Sequence, residues 1–230
     1  MNQLTSLVRI QLQTWRSTLF LPWAVIMISF AVNLITHVTD KDPGQDRTMG
    51  GLVALYVFLA ISFSATSREF FPITMGLSGT RRGFYRATAL LAVVESVVYG
   101  GAVYALAGVE SATGGWGLGM SFFDLPFLRG QHPLVHLLGY AVPLLLAAFL
   151  GLWVGSIFTR WGRTGMYAFV VAAVVLACGL PALTSTAGAW NDIGSWFATE
   201  PVPALLIGWP LLIIAVLAGA AWFTLRRARA

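Results

Sequence analysis

Residues 68–86 read REFFPITMGLSGTRRGFYR, a basic segment set between two long apolar runs, 49–67 and 87–109. Four arginines, Arg68, Arg81, Arg82 and Arg86, mark a stretch retained on the cytosolic side of a membrane. Phe70, Phe71, Ile73, Met75 and Leu77 are interspersed with them. A connection that only had to stay in water would not need that much apolar surface, so the segment is expected to receive a partner.

The apolar runs on either side belong to a larger series. The chain has 230 residues, of which 57% are hydrophobic and 10% charged, with a mean hydropathy of +0.77. The charged fraction is far below that of soluble domains, which is roughly 25%. Six runs reach the ~20 residues that a helix needs to cross a hydrocarbon core. They lie near 19–37, 49–67, 87–109, 134–158, 166–186 and 203–225. None alternates apolar and polar residues as the strands of an outer-membrane barrel do, and backbone in lipid must satisfy its own hydrogen bonds, so the spans are predicted to be helices. Residues 1–18 are expected to form an interfacial helix, with Leu4, Leu7, Val8, Leu12 and Trp15 on one face. The fold class is therefore an all-α integral membrane protein, residues 1–230 forming a single transmembrane domain.

With both termini on one side, that side carries Arg9, Arg16, Arg68, Arg81, Arg82, Arg86, Arg160, Arg163, Arg226, Arg227 and Arg229, against Lys41, Arg47 and Arg129 on the other. The imbalance places both termini in the cytoplasm. Acidic residues fall oppositely, with Glu110, Asp124, Asp192 and Glu200 among those outside and Glu69 inside. The net charge of +5 is thus a topology signal. Dispersed over several segments, the arginines do not form a nucleic-acid footprint.

Chemical motifs are sparse. No GxxxxGK[ST] is present, so the chain has no P-loop of its own, and neither HExxH nor CxxC occurs. Cys178 is the only cysteine. Gly76-Leu77-Ser78-Gly79 matches the GxSG of rhomboid intramembrane proteases. However, His37, His132 and His136 all fall at the opposite side, where none can serve Ser78 as a base. His132 and His136 lie one helical turn apart but have no third ligand for a metal. Gly151 and Gly155 form a GxxxG that permits close helix approach. Glu95, in Val93-Val94-Glu95-Ser96-Val97, is the one ionisable residue well inside a run. It has two readings: a group lining a substrate or proton path, or a neutral glutamic acid hydrogen-bonded between helices.

The segment FFPITMGLSGTRRGFYRATAL, 70–90, resembles the loop after the second span in small six-span permeases of ATP-binding-cassette exporters, the type-2 membrane-domain superfamily. Pro72, Gly76, Arg81, Arg82, Phe84 and Tyr85 carry the likeness. Arg160-Trp161-Gly162-Arg163-Thr164-Gly165 is similar to that family's basic turn between spans four and five. The resemblance implies a short cytoplasmic coupling helix between spans two and three, with Arg68, Glu69, Pro72, Gly76, Arg81 and Arg82 contacting a separate ATPase subunit. It implies a permease dimer in a bacterial plasma membrane, exporting a lipophilic or amphipathic compound. No cofactor would bind this chain, since ATP and Mg would sit on the partner. A proton-coupled carrier or channel using Glu95, or a membrane enzyme, is the alternative.

Overall fold

A computed structural model describes residues 15–39 and 52–228, with side chains from residue 21 onward. Its helices are α1 (Trp15–Thr39), α2 (Val53–Gly76), α3 (Arg81–Ala112), α4 (Pro133–Thr186), α5 (Trp190–Thr199) and α6 (Trp209–Leu225), the last preceded by a wide π turn at Ala204–Gly208. Five of these helices, α5 being the exception, are long and apolar enough to cross a membrane. Residues 1–14 of the expected interfacial helix lie outside the described residues, while 15–18 continue directly into α1.

At 54 residues, α4 would measure about 80 Å if straight, far more than the ~30 Å of a hydrocarbon core. It is not straight. Gly162 has φ 64° and ψ −150°, a conformation that is costly for any residue with a Cβ. The rings of Trp153 and Phe169 nevertheless meet edge-to-face at 5.5 Å. In a continuous helix those two residues would stand about 24 Å apart. The helix therefore doubles back at Gly162, and its arms, 133–161 and 163–186, form an antiparallel hairpin. The runs read from the sequence as two separate helices are these two arms.

Helix α4 packs against α2, α3 and α6, and its buried residues, Tyr140, Leu144, Ala148 and Leu152 among them, all lie on the first arm. Lipid tails are as apolar as leucine, so what holds such helices together is close backbone approach and interhelical hydrogen bonds. The GxxxG glycines provide the approach internally. A Cβ on Gly151 would overlap the carbonyl of Ala60, and one on Gly155 would lie 2.5 Å from the carbonyl oxygen of Ser64. At the same seam the Thr159 hydroxyl donates to the Ser67 carbonyl at 3.0 Å. On α3, Gly100 admits Ala141 in the same way. The second arm differs: nearly all its side chains are exposed, Tyr167 at 71% and Leu183 at 66%.

The expected coupling helix is not a separate element. Residues 68–76 are the last turns of α2, and α3 begins at Arg81, leaving only 77–80 as a connection. Pro72 removes one backbone donor from α2 without ending it. The flanking residues hold the helix in place: Phe71 is fully buried and meets Phe84 edge-to-face at 5.4 Å, and the Thr74 hydroxyl donates to the Phe70 carbonyl at 2.7 Å. Phe71, Phe84, Leu225 and Ala228 form a small core, with Phe70, Met75 and Tyr85 against it. Thus the end of α2, the start of α3 and the end of α6 meet at one end of the molecule, the basic end. Thr159 and Ser67 bring the hairpin turn to the same end.

Candidate functional site

The basic end is built around the 77–80 turn. The N–H of Gly79 donates to the Thr74 carbonyl at 2.8 Å and that of Ser78 to the Met75 carbonyl at 3.1 Å. This pair of bonds is a Schellman closure of α2, with Ser78 in the left-handed region at φ 59°, where glycine is usual. Thr80 then caps α3, its hydroxyl accepting from Gly83 N at 3.0 Å. A helix stop and a helix start follow one another with no slack between them, so α2 and α3 turn as one rigid corner.

Much of the segment's apolar surplus is consumed inside the chain, since Phe71 and Phe84 are core residues. What remains on the surface is Ile73 at 52% and Leu77 at 65% exposure, together with Glu69, Pro72, Gly76 and Arg82. Two of the arginines have internal roles. Arg68 lies over the Phe158 ring at 4.5 Å, joining the corner to the first arm of α4. Arg81 Nη1 donates to the Arg226 carbonyl at 2.6 Å, joining it to the end of α6. Ser78, the GxSG serine, is exposed on the corner.

Glu95 sits half-buried on α3 with its Oε2 atom enclosed and without a hydrogen-bond partner. The hydroxyl of its neighbour, Ser96, is likewise buried and unpartnered. Tyr99 follows Glu95 at the i+4 spacing that places two side chains on the same helix face.

The opposite end holds a constellation that sequence reasoning missed. Glu110, in the last turn of α3, is buried at 1% exposure. Its Oε1 accepts from the backbone N–H of Phe122 at 2.9 Å and of Asp124 at 3.0 Å. Oε2 accepts from Phe123 N–H at 3.0 Å and from Trp116 Nε1 at 2.9 Å. A carboxylate at a helix C-terminus opposes the macrodipole, and these four donors offset that. They fold the 113–132 connection into a cap whose rings, Phe122, Phe123 and Trp116, pack around Phe30 of α1.

Arg129 clasps the cap from outside, with Nε on Asp124 at 2.7 Å and Nη2 on the Ser121 hydroxyl at 2.8 Å. The Tyr140 hydroxyl donates to the Phe123 carbonyl at 2.7 Å. Of the two histidines read as a potential chelate, His132 caps α4 by accepting from Leu134 N at 3.3 Å. His136 is placed between Tyr104 and Tyr140, with ring centroids 5.2 and 5.4 Å away. Beneath the cap is a cleft of about 870 Å³ lined by Tyr104, Ser111, Asp124, Arg129 and His136.

Comparison with family profiles, curated proteins and solved structures finds no match to this chain.

Proposed function

We propose that the chain is the membrane-spanning permease subunit of an ATP-binding-cassette exporter, moving a lipophilic or amphipathic compound outward with energy from a separate ATPase. The observation that carries the reading is the α2–α3 corner: a rigid element at the basic end that exposes Ile73 and Leu77 while being tied to two other helices. An exposed apolar pair on the same segment as the exposed Glu69 and Arg82 has the make-up of an interface, with apolar anchors and polar neighbours. Through Arg68 and Phe158 a push on the corner reaches α4, and through Arg81 and the Arg226 carbonyl it reaches α6. Such a lever couples hydrolysis outside the membrane to a rearrangement within it.

In this reading the two arms of α4 are separate crossings, giving six, and the basic end faces the cytoplasm. Two copies and two ATPases form the working unit. The test is retention: the tagged chain, gently solubilised, is expected to hold an ATP-binding-cassette ATPase co-expressed with it. Ile73→Asp with Leu77→Asp should abolish that retention while leaving helicity intact. If the unsubstituted chain retains no ATPase, the reading fails.

Glu95 Oε2 and the Ser96 hydroxyl, both enclosed and without a hydrogen-bond partner, support a second reading, a proton-coupled carrier, because an ionisable group within a membrane span is costly to keep unless it acts. Transport in vesicles driven by a proton gradient without ATP, and lost in Glu95→Gln, would favour it over the exporter.

A further inference from the structure

Between the first turn of α3 and the last turn of α6 lies a second cleft, of about 380 Å³, lined by Thr80, Arg81, Arg82, Trp222 and Arg226. Its walls are fixed from three directions. The Tyr85 hydroxyl donates to the Ala218 carbonyl at 2.9 Å, and the Tyr85 ring lies 5.5 Å from that of Trp222. Beneath them, Phe84 and Leu225 belong to the same buried cluster. The Arg81 guanidinium is held by the Arg226 carbonyl, which occupies one of its nitrogens and leaves the rest of its fork free.

The charges in this cleft are uncompensated. Three arginines line it, the Arg226 guanidinium lying over the Phe223 ring at 5.7 Å, and among the described residues no carboxylate forms an ion pair with any of them; the ion pair present is Arg129 with Asp124 at the far end. The backbone of α3 adds to the excess, while at the end of α6, whose dipole is negative, the carbonyls of Trp222, Thr224, Leu225 and Arg226 already accept hydrogen bonds. Thr80 satisfies the N–H groups of Gly83 and Phe84, whereas those of Arg81 and Arg82, in the first turn of α3, have no acceptor within the helix. They sit at the positive end of its dipole.

We propose that this cleft binds a phosphate group. Guanidinium forks match the paired oxygens of phosphate, and helix N-terminal N–H groups are ready donors to the same anion. A tetrahedral anion with several acceptor oxygens engages arginines from two helices and the free N–H groups together. The phosphate can come from an anionic phospholipid or from solution. The cleft lies where long apolar helices end, with Trp222 beside it, as at the headgroup level of a bilayer. Occupancy would tie the start of α3 to the end of α6. The site does not rest on the exporter reading: Arg82 is shared with the proposed ATPase contact, but Trp222 and Arg226, at the end of α6, are not part of it.

The test uses the full chain without any ATPase, purified in a neutral detergent. Binding is measured by thermal shift and native mass spectrometry with phosphatidylglycerol, phosphatidylcholine and inorganic phosphate as separate probes. Arg82→Gln with Arg226→Gln is expected to weaken binding about tenfold or more, from the loss of two surface cations. It leaves the Arg81 clasp in place, because that bond uses the main-chain carbonyl of residue 226. Arg160→Gln with Arg163→Gln, at the same end but outside the cleft, should leave binding unchanged. Arg82→Lys with Arg226→Lys should retain it in part, which separates charge from folding. Variant-sensitive binding of phosphatidylglycerol identifies a lipid headgroup as the source, and variant-sensitive binding of inorganic phosphate identifies a soluble one. Equal binding of all probes by both double variants, or no binding by the unsubstituted chain, overturns the proposal.

Discussion

Helix α3 is held at its two ends by opposite means. At the basic end, four residues connect it to α2, and hydrogen bonds local to the two helix termini determine their conformation. At the other end, some twenty residues connect it to α4, and one side chain, Glu110, gathers three backbone N–H groups and an indole N–H from the length of that connection. A short connection is determined by turn chemistry. A long one carries a much larger ordering entropy and needs a central acceptor to organise it. The difference also suits two tasks, since the corner can transmit displacement between helices while the cap can close over the end of the bundle.

The largest effect that would break this contrast is at Glu110. Glu110→Ala leaves four donors without their acceptor and is expected to cost about 4 kcal/mol, as for other buried charged hydrogen-bonding groups. Hydrogen exchange should speed up across 116–125 and stay unchanged across 77–84. Simultaneous loosening of both segments would mean that the two ends are not independently held.

Next is Phe84→Ala at the basic end, expected to cost about 3 kcal/mol through the cavity left beside Phe71 and Leu225. The exchange pattern should be reversed, with the ends of α2 and α6 opening while the cap stays closed. The same variant should weaken phosphate binding, because Phe84 packs with Leu225 in the cluster that joins the two helices lining that cleft. An unchanged affinity would show that the cleft holds its shape without the aromatic pair.

Gly79→Ala is smaller in its expected cost and more specific in its cause. A Cβ there would lie 2.5 Å from the Thr74 methyl group and 2.7 Å from its carbonyl oxygen, the acceptor that closes α2. We expect a loss of about 1–2 kcal/mol, as for overpacking elsewhere, measured by denaturation in detergent. In the exporter reading it should also lower transport per ATP hydrolysed, since the corner would no longer be rigid.

How far the two ends were legible in the sequence follows the same division. Apolar runs located every long helix, because span length is a local property of the chain. The hairpin at Gly162 was visible as a basic turn between two runs, with the glycine at its centre. The corner differs in one respect: the resemblance implied a separate coupling helix and the apolar residues a surface to hide against a partner, whereas α2 runs through to Gly76 and Phe71 and Phe84 hide each other across the turn. Neither residue indicates the other in isolation. The role of Glu110 had no local sign at all. An acidic residue near the end of a run looks like any headgroup-level charge, and its partners are mainly main-chain N–H groups 12–14 residues later, which no side-chain pattern encodes.

The finest test of the comparison is Ser78→Gly. Serine holds the left-handed position of the Schellman closure, at φ 59°, where a Cβ costs about 1–2 kcal/mol relative to a right-handed conformation. Glycine removes that strain but gives the unfolded chain more freedom to lose. The two effects oppose each other, and relief of the strain should prevail by about 0.5 kcal/mol. A small rise in denaturation midpoint, with unchanged exchange in the cap, would confirm that turn geometry alone sets the basic end. A drop in stability would mean instead that the added freedom of the unfolded chain outweighs the relieved strain.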